Sequence, residues 1–151
     1  MPISRVTLGL AIQLMVCAAC SNGNDNDGTD NAKNPQTFAA QVALGQSVYG
    51  EYCAQCHGDS GQGTDKAPRV VGLDEGALPL NPPDTRKVRK EQFVTVADVA
   101  NFVVMNMPAN DPGSLSMREY LAVLAFDLKA NGITLEQPLD MDLAETLTIP
   151  R

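Results

Sequence analysis

The sequence is poor in histidine and aromatic residues. Among its 151 residues there are one histidine, four cysteines and no tryptophan, and 5% of the chain is aromatic. Acidic residues outnumber basic ones by 18 to 11, a balance that disfavours non-specific binding to nucleic acid. The chain also lacks an internal repeat and an alternation of strand and helix patterns. Its length and patterning predict one all-α domain.

No apolar run is long enough to cross a bilayer. The longest, residues 6–16, has 11 residues, whereas a spanning helix needs about 20. Arg5 precedes this run and the small residues of the segment 17–20 follow it. A positive start, a short apolar stretch and small residues are the order of a secretory signal peptide, which we predict over residues 1–19.

Ala18-Ala19-Cys20 resembles the end of a bacterial lipobox, where cleavage leaves a lipidated cysteine as the first residue. The resemblance implies that Cys20 carries a lipid anchor and that the protein is held at a membrane facing the periplasm. The alternative is plain cleavage after Ala19, which gives a soluble protein with one free thiol.

The next segment lacks apolar residues almost entirely. Between residues 21 and 36 only Ala32 is apolar, so this stretch has little to bury. We predict a disordered tether over residues 20–36, a folded domain over 37–132, and a C-terminal tail over 133–151 that packs on the domain.

The pentapeptide Cys53-Ala54-Gln55-Cys56-His57 has the spacing of a c-type haem attachment site. Two thiols one helical turn apart can both reach the vinyl groups of one porphyrin, and the histidine that follows lies under the iron. A structural zinc site needs four Cys or His ligands, and too few surround this motif. A thioredoxin-like site needs a βαβ context, which is missing.

Three helices are predicted for the domain. The first begins after Thr37 as N-cap, and its apolar stripe consists of Phe38, Val42, Gly45, Tyr49 and Tyr52. Glycine is unfavourable inside a helix, so Gly45 indicates the close approach of a second helix.

The other two helices have capping signals. Thr95-Val96-Ala97-Asp98 resembles a capping box, and this helix must end near Met107 because Pro108 disfavours the helical conformation before it. The last helix starts at the capping box Ser116-Met117-Arg118-Glu119 and stops near Gly132. Residues 120–126 are apolar nearly all round, which predicts a largely buried helix.

From Gly45 to Gly132 these features resemble the class I cytochromes c. Gly45, Tyr49 and Phe126 match the family's contact between its first and last helices. Ala67-Pro68 resembles the loop whose proline carbonyl accepts a hydrogen bond from the haem-ligating histidine. The resemblance implies one haem c held by Cys53 and Cys56, with His57 as one axial ligand of the iron.

The second axial ligand cannot be another histidine of this chain. Methionines 105, 107, 117 and 141 are the candidates that we weigh. Met107 precedes Pro108 at a helix end and matches the family's ligand, so we predict it as the ligand. Met105 lies about 200° away on the same helix, and we expect it to pack, as we do Met117 and Met141.

A narrower resemblance concerns the pattern Met-Pro-x-x-x-Pro-Gly-Ser-Leu-Ser at residues 107–116. It is similar to the haem domains of quinohaemoprotein alcohol dehydrogenases and the cytochrome subunits of sulfur-compound dehydrogenases. It implies a non-enzymatic carrier that takes electrons from a periplasmic dehydrogenase and passes them to a terminal oxidase or another cytochrome. The alternatives are a fixed subunit of a dehydrogenase complex and, less favoured, an enzyme or gas sensor with an open iron position.

The segment 86–90, Arg-Lys-Val-Arg-Lys, is the one basic cluster in the sequence. A solvated loop face is the favoured interpretation. The functional alternative is that an arginine pairs with a haem propionate or that the cluster docks on an acidic partner.

Overall fold

The computed structural model describes residues 35–75, 77 and 92–150. The predicted signal peptide, the lipidation site at Cys20, nearly all of the tether and the basic cluster 86–90 lie outside these residues. Within the described part of the chain, no helix is both long and apolar enough to cross a membrane.

The described chain is helical. The helices are α1 (Phe38–Tyr52), α2 (Ala54–His57), α3 (Val96–Asn106), α4 (Met117–Ala130) and α5 (Met141–Thr146), with a 3₁₀ turn at Leu73–Glu75. Extended pairing in residues 35–75 and 92–150 is limited to one bridge between Thr95 and Thr148. The predicted all-α fold is confirmed.

Both predicted capping boxes are present. The Asp98 carboxylate accepts from the amide of Thr95 at 2.8 Å, and the Glu119 carboxylate accepts from the amide of Ser116 at the same distance. Hydrogen bonds to the Thr95 and Val94 amides hold the pKa of Asp98 below its usual value, and bonds to Ser116 do the same for Glu119. These contacts fix where α3 and α4 begin, and the contacts at Ser116 therefore fix where the segment between the two helices ends.

The α1–α4 crossing depends on Gly45. A Cβ at this position would clash with the carbonyl oxygen of Ala122 and lie 3.0 Å from the Cβ of Phe126. One turn further along, the rings of Tyr49 and Phe126 are 5.1 Å apart and tilted by 44°. The predicted close approach at Gly45 is confirmed.

The predicted stripe of α1 is wrong at its last position. Phe38, Gly45 and Tyr49 are buried, but Tyr52 is 42% exposed, because it is the last residue of α1 and extends past the core. Gln41 is buried instead, and its side chain pairs with both backbone groups of Leu139, at 2.8 Å and 2.7 Å. A polar residue on the inner face of α1 therefore binds the C-terminal segment.

Residues 133–150 contribute to the same core as the helices. Leu139, Ala144 and Ile149 are buried. The Ile149 amide donates to the carbonyl of Val94 at 2.9 Å, so this segment runs beside the start of α3. Through Gln41 and Val94 it joins α1 to the start of α3.

Candidate functional site

The Cys-x-x-Cys-His motif forms a helical turn directly after α1. The Cys53 amide donates to the carbonyl of Tyr49 at 2.9 Å, and the His57 amide donates to the carbonyl of Cys53 at 2.9 Å. Gly58 ends the turn with φ of +85°, a conformation that favours glycine. Both thiols are free and half-buried. The turn therefore places two thiols and an imidazole within one short element.

The imidazole of His57 is oriented by the loop that follows. Its Nδ1 lies 2.8 Å from the carbonyl oxygen of Pro68. A carbonyl can only accept, so Nδ1 carries the proton and Nε2 keeps its lone pair for a metal. The His57 carbonyl in turn accepts from the amide of Gly63 at 2.7 Å, and the hydroxyl of Thr64 donates to the carbonyl of Cys56. The ring and its backbone are thus held from two directions.

Burial keeps the first thiol in its neutral form. Burial, followed by the negative charges of Asp127 and Cys56, raises the pKa of Cys53 to about 12. Redox-active Cys-x-x-Cys motifs need the opposite shift, because their reactive form is the thiolate. The environment of Cys53 therefore disagrees with a thioredoxin-like role.

A buried tyrosine supports the end of the same turn. Tyr49 is 2% exposed and its hydroxyl donates to the carbonyl of Gly58 at 2.8 Å. Burial is the largest cause that raises the pKa of Tyr49 above its usual value, so the hydroxyl stays a donor. The sequence indicated Tyr49 as a packing residue, and this hydrogen bond adds a polar role.

Met107 lies directly after α3 in an extended conformation, with φ of −126° and ψ of 151°. A cis peptide bond joins it to Pro108. The predicted helix end and the extended backbone before Pro108 are confirmed. The hydroxyl of buried Tyr120 donates to the carbonyl of Met107 at 2.7 Å, which fixes this residue to α4.

The other candidate methionines lie elsewhere. Met105 is 69% exposed and Met117 is 48% exposed, so the expectation that both pack is wrong. Met105 lies in the last turn of α3 and Met117 is the first residue of α4, so each lies where its helix extends beyond the core. Met141 is partly buried against the core, as expected. Met107 alone among these four lies between a helix end and a tyrosine anchor.

The predicted site residues form two groups. Cys53, Cys56, His57 and Pro68 come together around one turn and one loop. Within the described ranges no hydrogen bond joins Met107 to that cluster. Both groups are instead attached to α4, Met107 through Tyr120 and the α1 end through Phe126. Helix α4 is the common support of the site.

Asn131 was missed by sequence reasoning. At the end of α4, its Oδ1 accepts from the Gly72 amide at 2.8 Å and its Nδ2 donates to the Val70 carbonyl at 3.0 Å. These bonds hold the loop that carries Pro68. Tyr120 was expected to be core, and its polar role was also missed. In both cases the signal in the sequence is a side chain that can form hydrogen bonds, at a position where helix packing or capping alone does not require one.

The donor set of these residues fits covalently attached haem. The two thiols are unpaired, the imidazole has Nε2 available, and Met107 adds a thioether. Thiols for attachment with nitrogen and thioether axial ligands are the chemistry of c-type haem. No group of three His, Cys, Asp or Glu side chains suited to a metal ion occurs in the part of the chain that the structure describes.

The comparisons with known proteins agree with this chemistry. A solved structure of the sulfane dehydrogenase SoxCD from Paracoccus pantotrophus contains a similar chain, with 28% identity and a TM-score of 0.55. The similarity covers 72% of the present chain and 53% of the SoxCD chain, so the present chain spans about half of that protein. A comparison with the curated proteins finds no match. The family model described as cytochrome c oxidase, cbb3-type, subunit III matches residues 40–126, more than half of the chain. The chain therefore belongs to this cytochrome c family, whose cofactor is one covalently bound haem c.

Proposed function

We propose that this mono-haem cytochrome carries single electrons from a periplasmic dehydrogenase toward a terminal oxidase or another cytochrome. The observation that carries the proposal is the turn at residues 53–57, where paired thiols adjoin an imidazole whose Nδ1 is fixed by Pro68. This arrangement is suited to holding haem in one orientation.

Each residue of the site has one role in this proposal. Cys53 and Cys56 form the thioethers, and His57 and Met107 are the axial ligands. Pro68 accepts the His57 proton and so sets the tautomer and the basicity of the ring. The haem supplies reversible one-electron chemistry. A His/Met ligand pair raises the reduction potential, which suits an acceptor placed between a dehydrogenase and an oxidase.

A dehydrogenase partner is supported by the likeness to a chain of a sulfane dehydrogenase. The same likeness favours the second candidate, in which this chain is a fixed electron-transfer subunit of a dehydrogenase complex. Purification under mild conditions separates the two. A free carrier elutes at the size of this chain, whereas a fixed subunit elutes in stoichiometric complex with a larger chain.

Export and anchoring complete the proposal. Residues 1–19 act as a signal peptide, and Cys20 carries the lipid that holds the domain at a periplasmic membrane surface through the segment 20–36. Two or more acyl chains give stable anchoring, whereas one is marginal. Mass spectrometry of the mature protein tests this, because an unmodified N-terminus contradicts the anchor.

Haem attachment is the most direct test of the proposed site. We expect the haem to stay with the polypeptide through extraction by acidic acetone, because thioether bonds survive that solvent. Cys53→Ser and Cys56→Ser should each remove one bond and weaken attachment, and His57→Ala should abolish the low-spin spectrum. Gln55→Ser is the matched control, because it introduces serine at an exposed position between the two thiols, and it should change nothing at the haem. Release of haem from the intact protein contradicts the assignment.

A further inference from the structure

Helix α4 buries a carboxylate oxygen beside the attachment turn. Asp127 follows Phe126, and although part of the residue is accessible, its Oδ1 is buried and has no hydrogen-bond partner. An ionised carboxylate in such surroundings is costly unless it is paired. The mechanism described so far makes no use of this group.

The surroundings of Asp127 offer it no compensating partner. It lines a small, partly open cavity whose other walls are mainly apolar, including Val99, Leu124 and Leu128. Asn131 is the polar neighbour, but its Nδ2 donates to the backbone carbonyls of Val70 and Asp127 itself. The amide has therefore no further proton to donate to the carboxylate.

No cation faces the carboxylate in the described part of the chain. At the end of α1, the groups that the charge of Asp127 acts on are Tyr49 and Cys53, which are not cations, and the Tyr49 proton is already donated to Gly58. Arg69, on the loop before the 3₁₀ turn, pairs with Glu75 at 2.6 Å. On its own helix, Lys129 is exposed and donates to Thr134 at 3.0 Å.

Arg118, near the start of α4, has a buried Nη1 with no hydrogen-bond partner. It precedes Asp127 by nine residues, which places it about 180° away on the helix, so it does not face the carboxylate. The remaining charged groups of the described residues are acids or lie at the surface. Asp98 of α3 is bound to the amides of Thr95 and Val94. The exposed acids of the 3₁₀ turn and of the C-terminal segment are Asp74, Glu75, Glu136, Asp140, Asp142 and Glu145. Burial raises the pKa of Asp127 to about 8. The carboxyl can therefore change its protonation near neutral pH.

Asp127 is also coupled to the attachment turn. Its charge acts on Cys53, one of the two residues that we assign to haem attachment. A unit charge separated from another by apolar protein interacts with it more strongly than in water. A change of charge at a haem attached to Cys53 would therefore act on this carboxyl.

We propose that Asp127 is the proton acceptor coupled to reduction of the haem. One electron from a one-electron donor reduces the ferric iron, and one proton from solvent adds to the Asp127 carboxylate. On oxidation the electron passes to the acceptor and the proton returns to solvent. This proposal rests on the proposed function, because it assigns a role to Asp127 in the same electron transfer.

The direction of the pH dependence follows from the charges. Reduction adds one negative charge near Asp127, so the reduced protein binds the proton more tightly than the oxidised one. Between the pKa values of the two states, the potential falls as pH rises. A tenfold fall in proton activity lowers it by up to about 59 mV for a one-electron couple with full coupling.

Potentiometric titration of the full-length holoprotein from about pH 5 to about pH 10 tests the proposal. We expect a potential that falls with pH in the wild type and is flat over the same range in Asp127→Asn, which keeps the size and removes the titration. Asp74→Asn is the matched control, since it makes the same change at an exposed acid, and it should keep the wild-type slope. In the wild type, the reduced-minus-oxidised infrared spectrum should show a protonated-carboxyl band, and Asp127→Asn should lose it.

The outcomes separate this proposal from the proposed function. A reversible couple whose potential ignores pH overturns the role of Asp127. A slope that persists in Asp127→Asn also overturns it and assigns the proton to another group. Should the Asn variant not fold, absence of the protonated-carboxyl band in the wild type overturns the role. Absence of covalent haem or of a reversible couple overturns the proposed function itself.

Discussion

The histidine and methionine sides of the site use the same anchor in different surroundings. On each side a buried tyrosine hydroxyl donates to a backbone carbonyl. Tyr49 donates to Gly58 at 2.8 Å beside His57, and Tyr120 donates to Met107 at 2.7 Å. The distances and the burial of the two rings are nearly equal, so the difference between the sides lies in what else holds each ligand.

The histidine side has several further bonds. The His57 ring is fixed by Pro68, its carbonyl accepts from Gly63, and the preceding carbonyl of Cys56 accepts from Thr64. On the methionine side, the described contacts of the Met107 backbone are the Tyr120 hydroxyl and its own amide bond to Val103 at 2.8 Å. The position of His57 is therefore held by several independent contacts, whereas the position of Met107 depends largely on one side chain, Tyr120.

The largest loss of stability is expected from a substitution that disturbs the histidine side and the methionine side together. Gly45→Ala puts a methyl group against the Ala122 backbone in the α1–α4 crossing that supports both ligands. We expect it to lower the free energy of unfolding by roughly 3 kcal/mol, because backbone on either side cannot move aside cheaply. In urea, the low-spin spectrum and the far-red sulfur-to-iron band should disappear at one lowered midpoint.

Gly50→Ala is the control for this change. It lies on the same helix, a Cβ there meets nothing within 4 Å, and alanine is the better helix former. We expect it to raise stability by up to about 1 kcal/mol. Equal midpoints for the two variants would show that the crossing does not depend on Gly45.

The next largest effect is expected from a substitution that removes the methionine ligand alone. Met107→Ala should lose the weak far-red band completely, lower the potential and let carbon monoxide bind the ferrous iron, while haem stays attached through Cys53 and Cys56. Met105→Ala makes the same change at a residue that is 69% exposed and should leave all three properties unchanged. The reverse result moves the ligand to Met105, and no change in either variant removes methionine ligation from this segment.

Sequence reasoning was reliable where the signal is local or restricted by sterics. The capping boxes at Thr95 and Ser116, the helix end at Pro108 and the close approach at Gly45 all depend on residues within a few positions or on the size of one side chain. The bond from His57 to Pro68 was expected from resemblance to a family, since a spacing of 11 residues does not by itself predict contact.

The remainder depends on tertiary partners. Asn131 binds Val70 and Gly72 from about 60 residues away, and no periodicity in the sequence points to such a pair. The exposed residues Tyr52, Met105 and Met117 were misjudged for a related reason. Helical periodicity gives the direction of a side chain, but where a helix leaves the core is decided by the elements packed on it.

The smallest effects are expected from removing one tyrosine hydroxyl at a time, which compares the histidine and methionine sides directly. Tyr120→Phe removes the hydroxyl that holds the Met107 carbonyl, and Tyr49→Phe makes the same change beside His57. Each should lower the free energy of unfolding by about 1 kcal/mol, the net value of one buried hydrogen bond.

If the methionine side has one main anchor, Tyr120→Phe should also weaken the methionine–iron bond, so that added imidazole displaces it at about fivefold lower concentration. Tyr49→Phe should leave that concentration unchanged, since Pro68 and Gly63 still hold His57. An equal shift in both variants would show that the two ligands are held alike, and no shift in either would place the control of Met107 in contacts other than Tyr120.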